Sequence, residues 1–219
     1  IGMVAELYNP AYILVVNSCM VGIIGDDIEA VAAEAEGTYK VPVISINSFG
    51  FMNGAYSNGF KLAVSIMLNR FCTLQEKRDD TIVIIAPFEG KHSAAFRTIE
   101  KYLYFLGLKK VILFPGAASL EEIKLLCTCR YGVIIDHNNM LVADYESAAN
   151  LLNEKLGIQI LDYADPAGFK ETLTWLERIH IALQSPEYSY KMLCEQLKQQ
   201  YSQFINDFLA IAGKGNKVS

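Results

Sequence analysis

Six short apolar runs, each followed by a stretch of helical periodicity, constrain this chain of 219 residues more than any other feature. The runs are Tyr12–Val16, Val41–Ile46, Ile82–Ala86, Val111–Phe114, Gly132–Ile135 and Ile158–Leu161. Most are apolar throughout and do not alternate with polar residues. That is the pattern of parallel strands buried on both faces. A parallel pair needs a crossover between its strands, and the segments between these runs are long enough to supply one as a helix.

The intervening segments read as helices. Residues Asp27 to Glu36 place Ile28, Val31, Ala32 and Ala35 on one face. After Asn58, the residues Phe60, Ala63, Val64, Met67 and Phe71 recur at helical spacing. Ser93 to Leu106 presents Phe96, Ile99 and Leu103 and stops at Gly107. Ser119-Leu-Glu-Glu122 has the form of a capping box. Leu141 to Leu156 ends at Gly157, and Phe169 to Leu183 is ended by Ser185-Pro186. Tyr188 to Ile211 is a long helix with Tyr190, Leu193, Leu197, Tyr201, Phe204 and Phe208 along one side. Alternating β and α at this spacing gives an α/β fold: Rossmann-like parallel sheets flanked by helices, with a long C-terminal helix. The expected division is residues 1–78 as part of a first Rossmann-like domain, 79–184 as a second, and 185–219 as a long helix and linker. With two strands, residues 1–78 are too few for an independent doubly wound domain. With no initiator Met, the chain is expected to be a piece of a longer protein.

Composition narrows the function. Hydrophobic residues make up 52% of the chain, enough for a sizeable core, which excludes disorder. The formal net charge is −5 and the pI about 5.3, which argues against a nucleic-acid partner, since phosphate binding needs clustered positive charge. No apolar run approaches the length of a membrane span, and residues 1–6 lack the basic and hydrophobic regions of a secretory signal. Five sparse cysteines (Cys19, Cys72, Cys127, Cys129 and Cys194) do not make a disulfide framework. A reducing cytoplasm is the expected location.

In open parallel sheets, ligands sit beyond the carboxyl ends of the strands. The first such exit reads Asn17-Ser-Cys19-Met-Val-Gly-Ile-Ile-Gly-Asp26-Asp27-Ile28. A thiolate at Cys19 would gain from a nearby helix N-terminus and is a soft-metal ligand type. A buried packing cysteine is the bland alternative. Asp26 and Asp27 fit helix-capping positions. Gly90-Lys91-His92-Ser93 opens a helix and offers a small-anion site, without the spacing of a P-loop. Cys127-x-Cys129 is too close for the usual zinc spacing and has no second pair. Cys72, Cys194, His180 and Trp175 read as packing residues.

The segment Ser-Cys19-x4-Ile-Gly-Asp-Asp-Ile-x2-Val, following an apolar strand, resembles the signature of the nitrogenase component 1-type oxidoreductases. That family includes the MoFe-protein α and β subunits, cofactor-assembly scaffold proteins and protochlorophyllide reductase subunits. Val41-Pro-Val-Ile-Ser-Ile-Asn-Ser-Phe-Gly50-Phe51, with Gly54 beyond, is similar to a second family segment and closest to the scaffold members. Gly116-Ala-Ala-Ser119-Leu-Glu-Glu-Ile123 and Leu152-Asn-Glu-Lys-Leu-Gly157-Ile resemble the family's second Rossmann-like domain. The resemblance covers essentially the whole chain.

It implies that Cys19 is a ligand of an inter-subunit iron–sulfur cluster of the 4Fe–4S or P-cluster type, held by Cys thiolates. One ligand cannot hold a cluster alone. The others would come from elsewhere in the subunit and from a homologous or identical second subunit. An ATP-dependent iron–sulfur reductase component would deliver electrons. Gly50 and Gly54 match glycines that let backbone approach the cluster. Catalytic α subunits carry a cofactor-binding cysteine after the strand placed here at Gly132–Ile135. This chain has Asp136-His137-Asn-Asn instead. His137 is open as a substitute ligand, a substrate contact or a plain loop histidine. The readings are a nitrogenase-like redox subunit, a non-catalytic cofactor-assembly scaffold, or a Rossmann-like module binding a small anion.

Overall fold

In the computed structural model, the residues described are 1–17, 24–47, 56–86, 90–116, 118–135, 142–162 and 166–215. The elements run α1 (Gly2–Tyr8), β1 (Ile13–Asn17), α2 (Ile28–Tyr39), β2 (Val43–Asn47), α3 (Tyr56–Phe71), β3 (Arg78–Ile85), α4 (Ala94–Phe105) and β4 (Lys110–Phe114). Then come α5 (Leu120–Leu125), a single 3₁₀ turn (Leu126–Thr128), β5 (Cys129–Ile134), α6 (Val142–Leu156), β6 (Gln159–Asp162), α7 (Phe169–Leu183) and α8 (Glu187–Gly215). All six expected strands form, and every pairing is parallel. They make a two-stranded sheet, β1-β2, and a four-stranded sheet in the order β4-β3-β5-β6.

The four-stranded sheet shows why its strands read as unbroken apolar runs. Along β3, Val83 and Ile85 enter one core and Ile82 and Ile84 the opposite one. β4 divides likewise, Ile112 and Phe114 against Val111 and Leu113. Successive side chains point to opposite faces, so a strand covered on both sides needs apolar residues at every position. One core is roofed by Ile123 of α5 and by Ala148, Ala149, Leu152 and Leu156 of α6. The other is roofed by Phe96, Ile99 and Leu103 of α4, Trp175, Leu176 and Ile179 of α7, and Leu193 of α8.

Helix α3 joins the two sheets. It follows β2 in sequence, yet Val64, Met67 and Leu68 enter the core of the four-stranded sheet. Tyr12, just before β1, packs with Phe71 at 5.3 Å between ring centroids. A smaller core of Ala5, Ile13, Ala32, Ala35 and Val43 serves the two-stranded sheet.

Helix ends follow the sequence signals. Asp27 caps α2, its carboxylate accepting from the Ala30 N–H at 2.9 Å. Ser93 caps α4 by accepting from the Phe96 N–H at 3.1 Å. The Ser119–Glu122 capping box is complete, at 3.2 and 3.0 Å. Gly107 (φ +104°) and Gly157 (φ +65°) end α4 and α6 in backbone that favours glycine.

Three expectations need correction. Val31 lies exposed, because α2 buries a narrower stripe centred on Ala32 and Ala35. β3 starts at Arg78, four residues earlier than its apolar run, because the charged start is held by side-chain pairs: Arg78 with Asp80 at 3.0 Å and Lys109 with Asp80 at 3.3 Å. Along α8, the residues Tyr190, Leu193 and Leu197 pack, but Phe204 and Phe208 stand 64% and 59% exposed, since no described element lies against that half of the helix. Tyr201, 43% exposed, stacks on the ring of Phe169 of α7 at 4.2 Å.

Candidate functional site

β1 and β2 end together at their carboxyl edge, where Asn17 is the register partner of Asn47. Both apolar strands close on a residue type that strands disfavour. The Asn17 side chain is buried, and its Nδ2 donates to Asn47 Oδ1 at 2.7 Å. Asn47 Nδ2 donates in turn to Glu29 Oε1 at 3.3 Å. Glu29 stands in the first turn of α2. The amino end of β2 is tied as well: Glu36 Oε2 accepts from the Val43 N–H at 3.0 Å, and Glu36 pairs with Arg70 of α3. The Val43 N–H and the Arg70 guanidinium outweigh the cost of burial and hold the Glu36 carboxyl below its ordinary range.

The residues singled out as ligands and cluster contacts, Cys19, Gly50, Gly54 and His137, lie outside the described residues. The positions from which the chain departs toward them are described. Covalent geometry keeps the Cα of Cys19 within about 7 Å of Asn17, and that of Gly50 within about 11 Å of Asn47. These two roots are hydrogen-bonded neighbours. On the four-stranded sheet, β3 and β5 are paired to their ends, Ile85 with Ile134, and the Ile135 N–H donates to Ile85 O at 3.2 Å. The segment after Ile135 carries His137, and the segment after Ala86 leads to the Gly90-Lys91 loop. Each chosen exit therefore starts from a strand's carboxyl edge, where open α/β sheets bind ligands.

The anion-loop reading fares less well. Lys91 pairs with Glu122, and Lys110 reaches the same carboxylate at 3.0 Å. Burial opposes ionisation of Glu122, but the Lys91 ammonium, the Ser119 N–H and Lys110 together hold its pKa down to about 2, from an ordinary 4.5. The cation needed for an anion is thus already neutralised. Because the folded-state pKa lies below the unfolded one, this network stabilises fully above about pH 4.5 and is lost as pH falls toward 2. Glu122→Gln is expected to cost about 2 kcal/mol at neutral pH, less than a fully buried pair because both lysines face water. Urea titrations at pH 7 and pH 3 should show the gap between variant and wild type narrowing at the acid end.

The remaining cysteines pack, as the sequence suggested. Cys127 and Cys129 are buried around the start of β5, and burial pushes the Cys129 and Cys72 thiols up to about 12. Protonated at neutral pH, Cys129 and Cys72 behave as small apolar side chains. Among the described residues, no group of three His, Cys, Asp or Glu side chains is arranged to hold a metal ion. His180 is a structural histidine, bonded to Ser185 at 2.7 Å and Glu187 at 3.0 Å and stacked on Tyr190. Sequence reasoning missed Asn17, Asn47 and Glu29, although asparagine closing two apolar strands was a readable signal.

The family model for "Nitrogenase component 1 type Oxidoreductase" matches residues 1–214. The chain belongs to the nitrogenase component 1 type oxidoreductases. Within that family, it is 33% identical over 138 residues to the nitrogenase iron-molybdenum cofactor biosynthesis protein NifE of Sinorhizobium fredii, covering 62% of this chain and 27% of that protein. It is 25% identical over 210 residues to the nitrogenase molybdenum-iron protein alpha chain of Methanosarcina barkeri, covering 94% of this chain and 38% of that one. Its fold superposes on the solved structure "Nitrogenase Cp1 at pH 6.5" with a TM-score of 0.75 at 21% identity, over 94% of this chain and 38% of that one. The chain therefore spans less than two-fifths of these relatives. No helix among the described residues is long and apolar enough to cross a membrane.

Proposed function

We propose that this chain is part of a nitrogenase component 1-like oxidoreductase subunit of the cytoplasm. In this reading, residues 1–78 contribute to one Rossmann-like domain and residues 79–184 form a second. Cys19 supplies a thiolate to an inter-subunit iron–sulfur cluster, with further ligands from the rest of the subunit and from a homologous or identical partner. Thiolate is the donor such clusters take, so the residue type fits. When bound, the cluster supplies one-electron transfer, fed by an ATP-dependent reductase and directed to a substrate or a cofactor precursor. The supporting observation is the family match over residues 1–214, joined to the paired strand ends Asn17 and Asn47, from which the sequence runs on to Cys19 and Gly50.

This chain's own residues do defined work in that scheme. The β1-β2 pair fixes where the Cys19 segment leaves the sheet. Asp27 caps the start of α2, the helix that follows that segment in sequence. Gly50 and Gly54 are assigned to close approach of backbone, where a Cβ would intrude. His137 is assigned to cofactor binding, as a substitute ligand or a substrate contact.

A second reading has a specific observation behind it. The segment that follows β5, residues 136–141, contains no cysteine, and the chain is similar to a protein named for cofactor biosynthesis. A scaffold that holds a cofactor precursor without turnover satisfies both. The whole subunit, purified without oxygen, is expected to be brown and to contain iron. A colourless, iron-free protein would count against both readings. Turnover with the cognate reductase identifies the redox subunit; iron without turnover identifies the scaffold.

A further inference from the structure

We infer that Asn47 is a positioning residue that clamps both ends of the segment carrying Cys19, an inference resting on the reading of Cys19 as a cluster ligand. Residues 18–28 lie between Asn17 and Glu29, and Cys19 is among them. Asn47 is thirty positions away from Asn17 on the neighbouring strand, yet its side chain holds both flanks: its Oδ1 accepts from Asn17 and its Nδ2 donates to Glu29. One planar amide thus sets the distance between the residue that releases the segment and the helix that receives it.

Burial shows that the clamp is structured at its inner end. Asn17 is 7% exposed, so its bond to Asn47 is shielded from water, and a typical hydrogen bond contributes about 0.5–1.5 kcal/mol. The outer end, at Glu29, faces solvent and is the weaker bond. The same Asn47 is the last described residue before the Gly50 segment, so both segments assigned to the cluster hang from one hydrogen-bonded pair. Ligand thiolates hold their metal well only when the groups behind them fix their position, and loss of such a supporting contact typically weakens metal retention about 10–100-fold.

The test uses the whole subunit, purified without oxygen, and reads three quantities: iron retained against a chelator, the electron paramagnetic resonance spectrum of the reduced protein, and its midpoint potential. Asn47→Ala is expected to retain iron about 10-fold less well and to show an altered spectrum and a shifted potential. Glu29→Ala, at an exposed helix position, should fold normally and shift the same readouts less. Glu29→Gln keeps an acceptor and should match wild type. A folded Asn47→Ala protein with wild-type iron retention, spectrum and potential overturns the clamp. If Asn47→Ala does not fold, an unchanged Glu29→Ala protein overturns it instead. An iron-free wild type overturns the ligand reading itself, so the two failures are distinguishable.

Discussion

Cys19→Ser in the whole subunit is expected to remove most of the iron that the wild type carries, with a corresponding loss of any reductase-dependent activity. A serine hydroxyl is a poor substitute for a thiolate, because iron–sulfur clusters depend on soft sulfur donors. The change is nearly isosteric, so the fold has little reason to respond. The described core of that sheet, Ile13, Val43, Ala32 and Ala35, packs among itself and with Ala5 of α1. Melting behaviour should therefore stay close to wild type while iron per subunit falls. Cys127→Ser provides the contrast: its thiol is buried and bonded to Lys124 O, so this variant should lose stability and keep iron. If Cys19→Ser keeps its full iron complement, the thiol is an ordinary loop cysteine and the ligand assignment fails.

The four-stranded sheet was the most legible part of the sequence. Continuous apolar runs announce strands covered on both faces, and capping residues mark helix ends within a position or two. Ser119 and Asp27 cap as read, because a cap is a contact between residues three apart. Contacts set by pairing register were harder to see. Nothing in the order of residues says that Asn17 faces Asn47, or that Glu122 collects Lys91 and Lys110. The periodicity of α8 shows that one side is apolar, but periodicity does not name what covers it, and Phe204 and Phe208 stand largely exposed. The candidate site divides along the same line. Its location at the strands' carboxyl edges follows from the α/β pattern, whereas the role of Cys19 entered through the family resemblance.

Structure and sequence agree most closely at Trp175, and there the expected energetic effect is large. Trp175 is the only tryptophan of the chain and is almost fully buried on α7. It shares a core with Val133, Ile135 and Ala86, which lie at or just past the ends of β5 and β3, where the segments toward His137 and Lys91 depart. Trp175→Ala should destabilise the chain by about 3–5 kcal/mol, the usual cost of opening a cavity of that size in a close-packed core. Urea unfolding followed by far-UV circular dichroism measures this without relying on the lost fluorophore. Trp175→Phe tests the indole separately. The Nε1 hydrogen finds no acceptor among the described residues, so phenylalanine removes an unpaired buried donor while keeping much of the apolar contact. Its cost should stay near 1 kcal/mol, with smaller volume offsetting relief of the donor. A Trp175→Phe cost as large as that of Trp175→Ala would mean that the indole N–H has a partner essential to the fold. A Trp175→Ala cost below about 1 kcal/mol would mean that α7 does not seal this face of the sheet, and the support beneath the His137 segment would have to come from elsewhere.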